Sequence, residues 1–227
     1  MQYLTNNCTE KLFNILVDLF IDELNNLLNQ QEIVNVALPG GRSIIRFFQI
    51  LHCQFSARSN CISDPSRVYF YLTDERVSTN RDELNENQLN NIFFDSLNTT
   101  FKTFFELSNR FDEYNKFFAP TNKFFDFVFL GAGEDGHIAS IFPKQNNALL
   151  SKAYYLEVIS LNKSPPQRIT LSQKAILEAK NIIVLFIGTY KRQALKNFQN
   201  SKISVEMCPA KLVFQKSEKV RIVSNII

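Results

Sequence analysis

The chain is short of the residues that most often announce a function. Its 227 residues include no Trp, two Met, two His and four Cys. Cys8, Cys53, Cys61 and Cys208 form no C-x-x-C pair, and no His lies at metal-ligand spacing, which excludes the common zinc and dithiol motifs. With no secretory leader in view, the thiols are expected to be free and the compartment to be the cytoplasm. No long apolar run is present. Residues 12–28 come nearest, but Asn14, Asp18, Asp22, Glu23, Asn25 and Asn26 interrupt them, so they read as an amphipathic helix and no membrane partner is expected. Neither sign of charge prevails. A net charge of +3, with the basic residues scattered and no helix-turn-helix or RNP-like pattern, gives no footprint for nucleic acid. Hydrophobic content of 45% against 21% charged excludes a disordered chain.

Glycine is the most telling scarcity. Of the six in the chain, Gly40 and Gly41 follow the apolar run 33–38, and Gly131, Gly133 and Gly136 follow the apolar run 127–130. A chain that makes its ordinary turns without glycine keeps it where the backbone needs a positive φ or passes close to something small. Both clusters end strand-like runs, and ligands bind at the carboxyl ends of parallel strands in α/β proteins. His137 follows the second cluster directly. The combination points to an enzyme acting on a small anionic substrate.

The periodicity predicts a helix over 9–30, capped by Thr9, with Leu12, Ile15, Leu16, Leu19, Phe20, Leu24 and Leu27 inward. Strands are expected at 33–38 and 68–72, the second ending on Thr73-Asp74-Glu75-Arg76. A helix with Ile44, Phe47, Phe48 and Leu51 inward lies between them. Further helices are expected near 88–97 and 112–118, and strands at 125–130 and 154–159. Pro165-Pro166 breaks the chain before Arg168-Ile169-Thr170-Leu171. Ser172 caps a helix to about 179, 181–187 is a buried strand ended by Gly188, and 190–198 is helical. Short strands follow at 212–214 and 220–223. Alternation of strands and helices from end to end implies one α/β domain over 1–227, with a doubly wound, mostly parallel sheet and helices on both faces. The many Phe doublets, Phe47-Phe48 and Phe93-Phe94 among them, are expected to pack the core.

Three constellations carry possible chemistry. Pro39-Gly40-Gly41-Arg42-Ser43 joins a strand to a helix, and the free N–H groups of that helix start, with Arg42 and Ser43, suit an anion. A tight βα turn with a surface arginine would read the same way. Asp74, Glu75 and Arg76 stand at a strand's carboxyl end, where a doubly wound sheet puts its active groups and where a solvated turn with a local ion pair reads equally well. Gly131-Ala132-Gly133-Glu134-Asp135-Gly136-His137 matches G-x-G-x-x-G literally. As a dinucleotide site it is misplaced in mid-chain, Pro143 leaves little room for a helix behind it, and Asp135 would repel a pyrophosphate. Acid–base chemistry fits better: His137 is suited to take a proton near neutral pH, and Asp135 can orient its ring. Arg168 and Lys191 each follow a breaker at an element boundary, placed to reach a phosphate.

Taken together, these segments resemble the 6-phosphogluconolactonase family, within the superfamily that includes glucosamine-6-phosphate isomerase/deaminase. The resemblance rests on residues 37–43, Asp74-Glu75-Arg76, Asn87, the run from Leu130 through Gly136-His137-Ile138-Ala139-Ser140-Ile141-Phe142-Pro143, residues 168–171 and Gly188-Thr189-Tyr190-Lys191. It implies hydrolysis of 6-phospho-D-glucono-1,5-lactone, a phosphosugar lactone, with no required cofactor or metal. It also implies that His137 is the general base, supported by Asp135, that Asp74 and Arg76 line the cleft, and that Gly40, Gly41, Arg42, Ser43, Arg168 and Lys191 hold the phosphate. Isomerase/deaminase members usually read Ala-Phe-Asn-Glu-Pro after the Gly-His pair. Here Ala139-Ser140-Ile141-Phe142-Pro143 stands instead, which favours the lactonase over an amino-sugar phosphate isomerase. A phosphosugar sensor would be expected to carry a DNA-binding segment.

Overall fold

The computed structural model describes residues 1–57, 61–95, 102–104, 106–118, 125–145 and 147–226. Seven strands form one wholly parallel sheet: β1 Gln2–Thr5, β2 Val34–Leu38, β3 Val68–Leu72, β5 Lys102–Phe104, β6 Phe127–Gly131, β9 Asn181–Phe186 and β10 Val220–Ser224. Their spatial order is β1-β10-β9-β6-β2-β3-β5. The chain builds outward from β2 through β3 to β5, then crosses back to lay β6 on the other side of β2. The direction of winding therefore reverses between β2 and β6, and the two glycine clusters follow these two neighbouring strands.

A second, three-stranded antiparallel sheet comprises β4 Asp74–Arg76, β7 Tyr155–Ile159 and β8 Gln167–Leu171, in the order β4-β8-β7. Thr73 joins the sheets, since its N–H donates to Leu38 O and its carbonyl accepts from Leu171 N, both at 2.8 Å. The small sheet is an addition to the doubly wound sheet expected from the sequence. It takes up Asp74–Arg76 and 155–159, which alternation alone does not assign to a separate layer.

Helices cover both faces of the large sheet. α1 Thr9–Leu28 and α2 Arg42–Ala57 lie on one face, where Phe20 meets Phe47, Phe127 and Phe129 edge-on at 5.2–5.6 Å between ring centroids. Phe127 and Phe129 are two apart on β6 and so share that face. On the other face, Tyr71 of β3 packs against Tyr114 of α4 Leu107–Phe118, with centroids 6.1 Å apart. β2 is buried at every position, as a central parallel strand must be when helices cover both sides. The remaining helices are α3 Asn85–Leu89, α5 Asn147–Leu150, α6 Gln173–Glu178 and α7 Arg192–Gln199.

Several elements depart from the sequence reading for identifiable reasons. Thr9 does not cap α1: Cys8 holds that position, and Thr9 Oγ1 accepts from Asn225 Nδ2 at 2.7 Å instead. The buried stripe of α1 includes Phe13, Val17 and Ile21, while Ile15 is exposed, because the sheet and α2 together face a broader arc than a single stripe. The helix expected near 88–97 begins earlier, as α3, and passes into a π-helical turn over Asn90–Phe94; residues 96 and 97 lie outside the described residues. Residues 212–214 belong to a 3₁₀ segment, Pro209–Lys219, not a strand, with Leu212 and Val213 buried against the core. Ser172 caps α6 as expected, its Oγ accepting from Ala175 N at 3.2 Å. No helix among the described residues is long and apolar enough to cross a membrane.

Candidate active site

Four adjacent strands, β3, β2, β6 and β9, each end in one of the segments singled out above. Their loops surround a cavity of about 280 Å³, just under the roughly 300–1,000 Å³ usual for ligand pockets, and so suited to a small ligand. Arg168 of β8 reaches the same cavity because β8 pairs with β4, with Arg76 opposite Arg168. Of the candidate residues, Gly40, Gly41, Arg42, Ser43, Asp74, Arg76, Gly131, Gly133, His137, Arg168 and Lys191 all line it. Asp135 and Gly136 do not line it, though Asp135 is hydrogen-bonded to His137, which does.

The β6 loop holds an acid–base pair. His137 Nδ1 lies 2.5 Å from Asp135 Oδ1, and the His137 N–H donates to the same oxygen at 3.2 Å. Burial raises the Asp135 carboxyl, but the hydrogen bond and charge of the His137 ring, helped by the charge of Lys163, outweigh it and hold it at about 2. An ionised carboxylate only accepts, so Nδ1 carries a proton and Nε2 is the basic nitrogen of the neutral ring. Gly133 makes the arrangement possible, since a Cβ there would stand 2.1 Å from His137 Nδ1 and Cε1. Gly136 adopts φ +83° and packs on Cys208, whose Sγ a Cβ would meet at 2.6 Å. No helix follows Gly136; residues 137–145 run in turns, so the G-x-G-x-x-G spacing here does not make a dinucleotide site.

A second group is cationic. Lys191 Nζ donates to Ser43 Oγ at 2.5 Å, and the Arg42 guanidinium lies 5.1 Å from the centroid of the Tyr190 ring. Lys191 is only 5% exposed. Burial, reinforced by the positive charge of Arg42 and opposed by Glu134, pushes its ammonium down to about 8. Arg42 and Ser43 open α2, whose first-turn N–H groups point out of the helix, so cations, a hydroxyl and a helix start converge. The Gly41 N–H is not available to a ligand, because Gln88 Oε1 accepts it at 2.6 Å.

The third group closes the cavity from the small sheet. Asp74 Oδ2 accepts from Ser140 Oγ at 2.6 Å, and Asn85 Nδ2 donates to Asp74 O at 2.8 Å. Arg76 Nη1 donates to Glu83 O at 2.5 Å. Arg168 is buried, with Nε donating to Pro165 O at 2.6 Å and Nη2 to Ser164 O at 3.0 Å. Burial and the charge of Arg76 lower its guanidinium, against the pull of Asp74, Glu75 and Glu83. Glu75 turns away from the cavity. Its carboxyl accepts from the N–H groups of Arg76, Asn85 and Glu86 and so caps α3.

The cavity wall also contains Asn85, Glu134, Ser140, Phe142, Lys163 and Tyr190, which the sequence reading did not select. Asn87, matched by the resemblance, does not line it; Asn85 does, over Gly40, whose added Cβ would lie 1.9 Å from Asn85 Oδ1. The only sequence signal for Asn85 was its place beside Asn87. Among the described residues, no group of three or more His, Cys, Asp or Glu side chains is arranged to hold a metal ion.

Comparison with known proteins agrees with this architecture. A crystal structure of a 6-phosphogluconolactonase from Shewanella baltica superposes with a TM-score of 0.84 at 25% identity, over 99% of this chain and 97% of that one. A 6-phosphogluconolactonase from Trypanosoma brucei gives 0.81 at 20% identity over 98% and 95%, which bears on the fold alone. In sequence, the 6-phosphogluconolactonase of Borreliella burgdorferi is 33% identical over 213 residues, 88% of this chain and 87% of the relative. The family model described as Glucosamine-6-phosphate isomerases/6-phosphogluconolactonase matches residues 7–222, and the chain belongs to that family, on its 6-phosphogluconolactonase side.

Proposed function

We propose that the chain hydrolyses 6-phospho-D-glucono-1,5-lactone to 6-phosphogluconate, in the oxidative pentose phosphate pathway, by His137-assisted attack of water. The observation that carries this reading is that His137, paired with Asp135, and the Arg42–Ser43–Lys191 group line one cavity. A base and an anion site of that kind match a substrate with a hydrolysable carbonyl at one end and a phosphate at the other.

His137 Nε2 takes a proton from water as its oxygen bonds to the lactone carbonyl carbon, giving a tetrahedral oxyanion and an imidazolium held by Asp135. Collapse breaks the bond to the ring oxygen, which takes the proton from His137. The product carboxylic acid then ionises. A lactone is an activated ester, so a base contributing ~10²–10⁴ in rate, together with fixed orientation, accounts for useful catalysis. Arg42, Ser43, Lys191 and the start of α2 hold the phosphate, and Gly40 leaves room for Asn85 beside them. Arg168 adds its charge. Asp74 and Arg76 line the cleft beside the sugar.

The test generates the lactone with a glucose-6-phosphate dehydrogenase and follows acid release above the spontaneous rate. His137→Ala is expected to remove most catalysis while retaining binding of 6-phosphogluconate. Hydrolysis by the variant at the native rate overturns the assignment of the base.

A further inference from the structure

The cations around the cavity are held in different ways. Lys191 is buried and fastened by its hydrogen bond to Ser43, Arg168 is held by two backbone carbonyls, and Arg76 by the carbonyl of Glu83. Arg42 is exposed, and among the described residues its side chain makes no hydrogen bond or ion pair. It has a ring instead: the guanidinium carbon lies 5.1 Å from the centroid of Tyr190. Lys191 Nζ lies 5.8 Å from the same centroid. Tyr190 is 44% exposed and lines the cavity, so core packing does not account for it. Its ring nonetheless has a built seat. It lies against Gly188, where an added Cβ would stand 2.3 Å from Cε1 and 2.9 Å from Cδ1 and Cζ. Gly188 adopts φ +100°, and its N–H donates to Asn225 Oδ1 at 2.8 Å. Asn225 is fixed in turn, donating from Nδ2 to Thr9 Oγ1 at 2.7 Å.

Holding Arg42 by a ring has a chemical consequence. A hydrogen bond to a protein acceptor would occupy part of its N–H fork. A ring engages the charge instead, and the fork stays free for two oxygens of a phosphate. The contact also orders a long side chain before the ligand arrives, which lowers the cost of binding. Lys191 has no such need of the ring, being buried and already tethered to Ser43. Under the lactonase reading, on which this inference rests for the identity of its ligand, Arg42 belongs to the phosphate end of the cavity. We propose that Tyr190 is a positioning residue that holds Arg42 ready for the phosphate, and so sets affinity for phosphosugars without entering the chemistry at His137.

Tyr190→Leu removes the ring, and Tyr190→Phe keeps it. Loss of a ring–cation contact at an exposed site is expected to raise KM for the lactone about fivefold in Tyr190→Leu and to leave kcat within about twofold. By titration calorimetry, 6-phosphogluconate and glucose 6-phosphate should both bind this variant about fivefold more weakly, because they share the phosphate. Tyr190→Phe should stay within about twofold of native in every measurement. A double-mutant cycle then separates positioning from a general structural role. In an Arg42→Met background, Tyr190→Leu should cost no further affinity, since the residue it positions is gone. An equal loss in that background overturns the proposal, because the ring would then touch the ligand itself or serve Lys191. Native affinity in Tyr190→Leu also overturns it. So does a loss in Tyr190→Phe equal to that in Tyr190→Leu, which would assign the effect to the hydroxyl. If the native protein binds glucose 6-phosphate but does not hydrolyse the lactone, the lactonase reading falls, and the cycle with glucose 6-phosphate still decides the role of Tyr190. If the native protein is active and Tyr190→Leu binds both phosphosugars as tightly, only the role of Tyr190 falls.

Discussion

Lys191 Nζ and Ser43 Oγ, 148 residues apart in sequence, are joined by a 2.5 Å hydrogen bond that ties the turn after β9 to the first turn of α2. Burial and the neighbouring Arg42 bring this ammonium down to about 8. A bound phosphate dianion favours the charged form, so the bound site titrates higher. Affinity for 6-phosphogluconate is therefore expected to be independent of Lys191 below about pH 8 and to fall by up to about tenfold per pH unit above it. The phosphate monoester loses its second charge near pH ~6, which sets the acid limb. Titration calorimetry from acid to alkaline pH should show a plateau between these limits, and Lys191→Met should abolish the alkaline limb. A flat profile through pH 8 to 9 in the native protein contradicts the assignment.

The space above Gly133 makes a sharper test of His137 than deleting the ring. A methyl group at 133 would sit 2.1 Å from the imidazole and 2.8 Å from Asp135 Oδ1, so the ring must move. Gly133 does not need a positive φ, so the backbone itself tolerates alanine. Gly133→Ala should lose kcat by an amount approaching the whole contribution of the base, ~10²–10⁴, with little change in melting temperature. Native kcat in this variant would mean that the ring position does not matter to the reaction.

How much of this was legible beforehand depended on the range of the interaction concerned. The G-x-G-x-D-G-H run could be read because Gly133, Asp135 and His137 act on one another within a few residues. Strands such as 181–186 were plain because burial on both faces leaves a continuous apolar run. Asn85 and Lys163 were not legible. Asn85 enters the cavity through partners ten and eleven residues back, Glu75 and the Asp74 carbonyl, and Lys163 enters it because Arg168 holds the carbonyls of Ser164 and Pro165, a local contact that no residue pattern marks. The small sheet was hidden for the same reason, since antiparallel pairing of 155–159 with 167–171 leaves no pattern distinct from two parallel strands. The 3₁₀ segment at 209–219 resembled a strand because Leu212 and Val213 are adjacent and both buried.

Asp135 separates charge from shape in the acid–base pair. Its carboxyl is held at about 2, since the His137 hydrogen bond outweighs the effect of burial, so it stays ionised across any working pH and cannot be the source of an acid limb in the rate. Asp135→Asn keeps the size but can present an NH₂ group to Nδ1. That turns Nδ1 into the acceptor, moves the proton to Nε2 and leaves no base facing water. A loss of about 10²–10⁴ in kcat with KM nearly unchanged is expected from the wrong tautomer. A variant within twofold of native kcat would show that Asp135 does not orient the ring.

Glu75 links the pH of the medium to the frame of the site. It is fully buried and accepts the N–H groups of Arg76, Asn85 and Glu86, and the helix it caps carries Gln88, which in turn holds the Gly41 N–H. Burial outweighs those donors and, with the charge of Asp74, pushes the carboxyl up to about 7. In the unfolded chain it titrates near ~4.3, so between these values the folded state keeps a proton that the unfolded state has released. The contribution of Glu75 to stability is therefore complete below about pH 4 and is lost as pH rises through 7. Glu75→Gln does not titrate. Its amide meets the Glu86 N–H poorly, so it should be the less stable protein at low pH, by about 1–3 kcal/mol. The gap should narrow or reverse by a similar ~1–3 kcal/mol between pH 4.5 and 7.5. Urea unfolding of both proteins across that range measures the difference directly, and two curves that stay parallel would mean that Glu75 binds its proton equally well folded and unfolded.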